Sequence, residues 1–192
     1  MGTRHRREHQ DDPLHFITTA CHNWFHLFSS HNYFEILRDS MIFCIDKYEA
    51  SLCSYVFMPN HIHLILYYEK NYSSDFMRDF KKFTSYKVRT EIEKEGKLDL
   101  LEKLRYKKGK QVFKVWQDRF DDFSLFRPKT ILTKLNYIHQ NPVRKNYVAR
   151  PEDYLYSSAS YYSEKTKQFL EVKHIFDVIG WGNAYEYGII WR

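Results

Sequence analysis

The sequence predicts an α+β domain on an antiparallel sheet. Along the chain it reads strand, helix, strand, strand, helix, β-hairpin, helix, with helices segregated between adjacent strands. The second and third strands are parted only by Pro59-Asn60. That is too little chain for a crossover helix, so they must pair antiparallel. The 192 residues suit one domain with a real core, so neither disulfide nor metal is needed merely to fold.

Each element has a local reason. Residues 14–21 (LHFITTAC) are rich in strand formers. Residues 32–48 place Phe34, Leu37, Met41, Ile45 and Tyr48 at helical spacing. Residues 52–58 read as a strand, Pro59-Asn60 breaks it, and residues 61–68 (HIHLILYY) read as the next. Ser73, Ser74 and Asp75 are cap-type residues before a long helix striped with Phe76, Phe80, Phe83 and Val88, which fades near Gly96. A charged surface excursion follows and ends in RYKKGK. Residues 112–116 and 122–126 are expected to pair as a hairpin. Pro128 opens a helix carrying Ile131, Leu132, Leu135 and Ile138, and Pro142 is expected to stop it. Residues 169–179 read as a short strand and helix. The expected organisation is a flexible arm over 1–12, a main domain over 13–160 with a basic insertion at about 96–111, and an extension over 161–192 packed on it.

Composition narrows the function. Net charge is +6 with 16 Tyr and 15 Phe. Cations that track phosphates and rings that stack on bases suit a nucleic-acid binder. Three cysteines without a C-x-x-C pair argue against a zinc ribbon or disulfide framework and for a reducing, cytoplasmic setting. No apolar run approaches the ~20 residues of a membrane span.

On a strand, His61 and His63 share a face, about 7 Å apart by strand rise. Two imidazoles that close hold one divalent cation if a third group joins them. Alone, H-x-H is a weak signal. On the later helix, Tyr137 and Asn141 are four apart and share a face. Asn141 before Pro142 is also placed to cap a helix end.

These residues sit in longer blocks. Met58-Pro59-Asn60-His61-Ile62-His63 resembles the HUH signature of the REP-associated tyrosine transposases, a branch of the single-tyrosine HUH endonucleases. Tyr137-Ile138-His139-Gln140-Asn141-Pro142-Val143 resembles that family's tyrosine block. Lys81 to Thr84, Trp116 to Phe120, and Pro151 to Tyr154 with Ser157-Ser158 match further blocks in order.

The resemblance implies a ferredoxin-like (RRM-like) sheet with the histidines on a central strand. It implies His61 and His63 as metal ligands, Asn141 or else Gln140 as the third, and Mg²⁺ or Mn²⁺ as the cation. Tyr137 would be the nucleophile in a phosphodiester transesterification that leaves a 5′-phosphotyrosine and a free 3′-hydroxyl. The substrate would be single-stranded DNA near REP-like hairpins, and the protein a monomer or homodimer. Lys81, Lys82, Lys107 and Lys108 are candidates for the DNA backbone, with a solvated charged surface as the alternative. Arg119 and Arg144 lie inside the matched blocks and are candidates for phosphate. Trp116 would stack on a base or sit in the core.

Overall fold

The structure, a computed structural model, describes residues 12–70, 72–108, 111–163 and 168–180. The arm expected over 1–12 lies outside these apart from Asp12, as does half of the extension over 161–192. Among the described residues no helix is long and apolar enough to cross a membrane.

The chain runs β1 (Leu14–Ala20), α1 (His31–Lys47), β2 (Ser51–Met58), β3 (His61–Tyr67), α2 (Ser73–Lys94), α3 (Leu98–Lys103), β4 (Arg105–Lys108), β5 (Gln111–Phe113), β6 (Asp121–Ser124), α4 (Pro128–Arg144), α5 (Ala159–Tyr162) and α6 (Ile175–Val178). The main sheet has the order β2-β3-β1-β6 and is antiparallel throughout. With α1 between β1 and β2, and α2 between β3 and β6, this is the ferredoxin-like β-α-β-β-α-β arrangement.

Both faces of the sheet are covered, so the central strands are buried on both sides. On one face, Ile62, Leu64 and Leu66 of β3 join Leu37 and Met41 of α1 and Phe76, Phe80 and Val88 of α2. On the other, Phe16 of β1 and Ile65 of β3 meet Ile131, Leu135 and Ile138 of α4, together with Ile175 and Phe176 of α6. By alternation, His61 and His63 lie on this second face with Ile65. A bulge between Leu52 and Ser54 shifts the β2 register.

Helix α2 ends where the sequence fades. Gly96 adopts φ 66°, its N–H bonds to Glu93 O, and the Lys97 N–H reaches back to Ile92 O. This is a Schellman stop, which favours glycine at the left-handed position.

Three expectations are corrected. Residues 112–116 and 122–126 do not form a hairpin. β5 pairs with β4, and β6 takes the open edge of β1. Trp116 makes a lone bridge to Cys21 and enters the core beside Phe28 and Phe80. Burial of that indole pulls its segment away from any local pairing with β6. The excursion after Gly96 is partly structured, as α3 and β4. Second, Pro142 does not stop α4, which runs on to Arg144. The ring removes the N–H that Ile138 O would accept. Yet Pro142 is itself buried, and Lys145 N–H still bonds to Asn141 O, so packing outweighs the local penalty. Third, residues 169–179 contain one helical turn, α6, and no strand.

A buried polar knot ties the tail to the domain. His139 Nε2 lies 2.9 Å from Ser158 Oγ and 3.3 Å from Ser54 Oγ. Ser158 Oγ also accepts from the Tyr55 N–H. Burial pushes His139 down to about 3 from 6.5. The unfolded chain therefore takes up a proton below pH ~6.5 that the folded chain refuses. Stability from this group is complete above that pH and is lost as pH falls through 6.5 toward 3. His139→Gln does not titrate. It should flatten the dependence of unfolding free energy on pH in this window by up to ~1.4 kcal/mol per pH unit, read from urea melts between pH 7.5 and 4. An unchanged slope would remove His139 from the acid response.

Candidate metal and tyrosine site

His61 opens β3 and His63 follows two residues on, facing α4. Their ring centroids are 4.9 Å apart. Each ring is held through Nδ1. His61 Nδ1 donates to Asn60 Oδ1 at 2.7 Å, and a carbonyl only accepts, so the Nε2 lone pair of His61 is left free. His63 Nδ1 meets Thr18 Oγ1 at 2.7 Å, because the register sets Thr18 of β1 opposite His63. Phe16 stacks on the His63 ring at 5.7 Å.

Helix α4 supplies the rest. Tyr137 meets His63 edge to face at 5.0 Å between centroids. One turn on, Asn141 Nδ2 lies 3.1 Å from His63 Nε2. Asn141 is buried, and its Oδ1 has no hydrogen-bond partner among the described residues. Gln140 sits one position round the helix and is half-buried; α4 therefore turns Asn141, not Gln140, toward His63. No third His, Cys, Asp or Glu joins the pair among the described residues, so a tridentate set here is two imidazoles and an amide oxygen. Two imidazole Nε2 atoms directed by Nδ1 contacts, beside an orphaned buried carbonyl oxygen, fit a divalent cation. The mixed nitrogen and oxygen donors suit Mn²⁺ at least as well as Mg²⁺.

The electrostatics agree with ligation. Burial pushes His61 down to about 4, with Lys145 and His26 adding to the drop and the Asn141 side chain opposing it. His63 falls to about 3 through burial, then the charges of His61 and Lys134. Both rings are neutral at pH 7, the form that binds metal.

Two cations flank the tyrosine. Arg144 sits 5.4 Å from its ring centroid. Lys134 Nζ lies 5.8 Å from that ring and 4.3 Å from Phe16. Lys134 escaped the sequence reading, although its place three residues before Tyr137 on one helix could have revealed it. Thr18 could not be found that way, since only sheet register brings it to His63. In sequence Asn60 reads as a strand breaker and a member of the Met58–His63 block, with no sign of its hold on His61.

The sequence profile of the IS200-like transposases matches residues 14–141. The span starts at β1 and ends on Asn141, so it takes in the histidines and the tyrosine helix.

The chain belongs to the IS200-like transposase family.

It is similar to a Haemophilus influenzae protein described as a REP-associated tyrosine transposase, at 23% identity over 159 residues, which cover 81% of this chain and 85% of that relative. Its fold is similar to the solved structure of a REP-associated tyrosine transposase bound to a REP hairpin. The TM-score is 0.63 at 18% identity, over 91% of this chain and 95% of that one.

In this IS200-like transposase the basic candidates part company. Lys81 is not a free surface cation: its ammonium donates to Gln117 O at 3.0 Å and Arg119 O at 3.2 Å. Burial pushes it down to about 8. It holds the 117–119 segment against α2. Lys82, Arg119, Arg144 and Lys107 are exposed, and of these Arg144 touches the Tyr137 ring. Arg119 lies two residues before Asp121, which pairs with Thr18 across β1, so it shares the histidines' end of the sheet. Lys108 lies on β4; its side chain and all of Lys110 fall outside the described residues. Trp116 is buried, with Nε1 donating to Thr84 Oγ1 at 2.7 Å; it is a core residue rather than a base-stacking one.

Thr18→Val keeps the shape and deletes the hydroxyl that orients His63. Loss of such an outer partner costs about 10–100-fold in metal affinity. Titration of the variant with Mn²⁺, followed by calorimetry, should show a drop in that range; wild-type affinity would mean Thr18 only packs.

Proposed function

We propose that this transposase is a metal-dependent single-stranded-DNA endonuclease and strand transferase that works near hairpins. One observation carries the reading: α4 sets Tyr137 and Asn141, a turn apart, both against His63. His61, His63 and Asn141 would hold the cation, which supplies Lewis-acid stabilisation of charge on a phosphodiester. The rest is the work of the side chains. The Tyr137 hydroxyl gives up its proton to solvent as its oxygen attacks phosphorus and forms a Tyr–O–P bond. The P–O3′ bond breaks, and the leaving oxygen takes a proton to become a free 3′-hydroxyl. The 5′-phosphotyrosine conserves the bond energy, so a hydroxyl can reverse the step and join strands without a nucleotide cofactor. Arg144 and Lys134 are placed to offset negative charge near the tyrosine. The similar structure's REP hairpin supports hairpin DNA as the partner; the proposed substrate is the single strand beside it.

The test mixes the protein with labelled single-stranded DNA that carries the hairpins beside its own gene, with Mn²⁺, Mg²⁺ or chelator. A label that stays on protein through a denaturing gel only when metal is present supports the reading. Cleavage without an adduct would make a metal-bound water the nucleophile. Binding without cleavage would leave a hairpin-binding regulator derived from a transposase.

A further inference from the structure

The loop between β1 and α1 carries a side chain that neither the core nor the proposed chemistry uses. Trp24 is 55% exposed, an unusual state for so large an apolar ring. Its backbone and that of Asn23 are both left-handed, at φ 56° and 53°. Asparagine tolerates that region, but a bulky residue there is an outlier. Strain of this kind persists only where the surroundings impose it, and it clusters at functional sites.

The surroundings do impose it. The Trp24 N–H bonds to Cys21 O at 3.0 Å. The Trp24 carbonyl accepts from Asn60 Nδ2 at 3.3 Å, while the Oδ1 of that same amide holds His61 Nδ1 at 2.7 Å. One asparagine thus fixes both the loop and the metal-facing ring. As a result Trp24 stands edge to face with His61, 6.0 Å between centroids. The ring is bound to the rim of the site yet remains largely in solvent. Lys145, exposed on the same side, brings positive charge close enough to act on His61.

We infer that Trp24 is a stacking platform for one unpaired base of single-stranded DNA, the base belonging to a nucleotide next to the phosphate that His61 and His63 face. An exposed indole offers a π-face that every base matches, and the nearby Lys145 ammonium suits a phosphate of the same strand. The strained backbone aims the ring, and Asn60 keeps its distance from His61 constant. A duplex cannot use this platform, because its bases are already stacked. Trp24 therefore favours single-stranded over paired DNA beside the site without reading sequence.

The inference rests on the single-strand reading above, and the experiment separates the two. A fluorescein-labelled hairpin with a single-stranded 5′ tail, taken from beside the gene, fixes the register. Each tail position in turn is made abasic, and binding is followed by anisotropy with Mn²⁺ in Tyr137→Phe protein, which cannot form an adduct. One abasic position is expected to weaken binding roughly tenfold. Adding Trp24→Ala should weaken the intact probe by the same factor and abolish sensitivity to that one position. Trp24→Phe should restore part of both. Mn²⁺ affinity should be unchanged in each variant.

Equal binding by Trp24→Ala, or weakened binding with the abasic sensitivity intact, overturns the platform while the nuclease reading stands. A drop in Mn²⁺ affinity overturns it too, by showing that Trp24 acts through His61. If the parent protein binds the tailed hairpin no better than a blunt duplex, the single-strand reading falls and the platform falls with it.

Discussion

Tyr137→Phe is expected to abolish covalent DNA attachment while leaving the protein folded and able to bind Mn²⁺. The change removes one oxygen. The ring keeps its contacts with Phe16, His63, Lys134 and Arg144, so stability should move by less than about 1 kcal/mol. His63→Ala should behave differently. It removes one of the two imidazoles and strands Asn141 Nδ2, which bonds to His63 Nε2. Removing an outer partner already costs about 10–100-fold in metal affinity, so loss of the ligand itself should cost more than about 100-fold. Several kcal/mol of charge stabilisation go with the metal, and at 1.36 kcal/mol per decade adduct formation should fall by about a thousandfold or more. Calorimetric Mn²⁺ titration and the adduct gel, run on both variants, separate the roles. An adduct that survives in Tyr137→Phe would pass the nucleophile to another group. Undiminished Mn²⁺ binding in His63→Ala would move the metal elsewhere.

Trp116→Ala is the largest expected loss of stability. The indole is 4% exposed, lies against Phe28 and Phe80 at 5.3 and 5.9 Å between centroids, and donates to Thr84 Oγ1. Truncating a buried tryptophan costs about 3–5 kcal/mol, a large share of the 5–15 kcal/mol typical of a domain. For a chain of this length the melting temperature should fall by roughly 10 °C. Trp116→Phe keeps most of the volume and loses the hydrogen bond, so about 1–2 kcal/mol is expected. Urea denaturation measures both. A stable Trp116→Ala protein that had lost affinity for DNA would restore the base-stacking role that burial argues against.

The structure also separates two kinds of information about the site. Alternation on β3 already puts His61 and His63 on one face, and the four-residue spacing on α4 already pairs Tyr137 with Asn141. Both are one-dimensional consequences of helix and strand geometry. Neither says that the two faces meet. β3 is buried on both sides, so its own sequence does not say which face α4 covers. Helix α4 lies on the histidine side because Ile131, Leu135 and Ile138 complete the cluster begun by Phe16 and Ile65, while α1 and α2 fill the opposite face.

The errors have the same origin. Residues 112–116 and 122–126 look like neighbours because they are close in sequence, but β6 gains more by closing the edge of β1, and Trp116 by entering the core. Pro142 looks like a helix stop because its local cost is visible, whereas the burial that outweighs it comes from elsewhere in the chain. Thr18 and Lys134 show the contrast within the site: Lys134 is legible as a helical neighbour of Tyr137, and Thr18 reaches His63 only through register. Element type, strand polarity and the facing of the histidines and tyrosine follow from periodicity, which a short stretch of chain carries within itself. Sheet order, the face chosen by α4 and the partners that orient each imidazole depend on burial summed over distant segments, so they emerge only when the whole chain has folded.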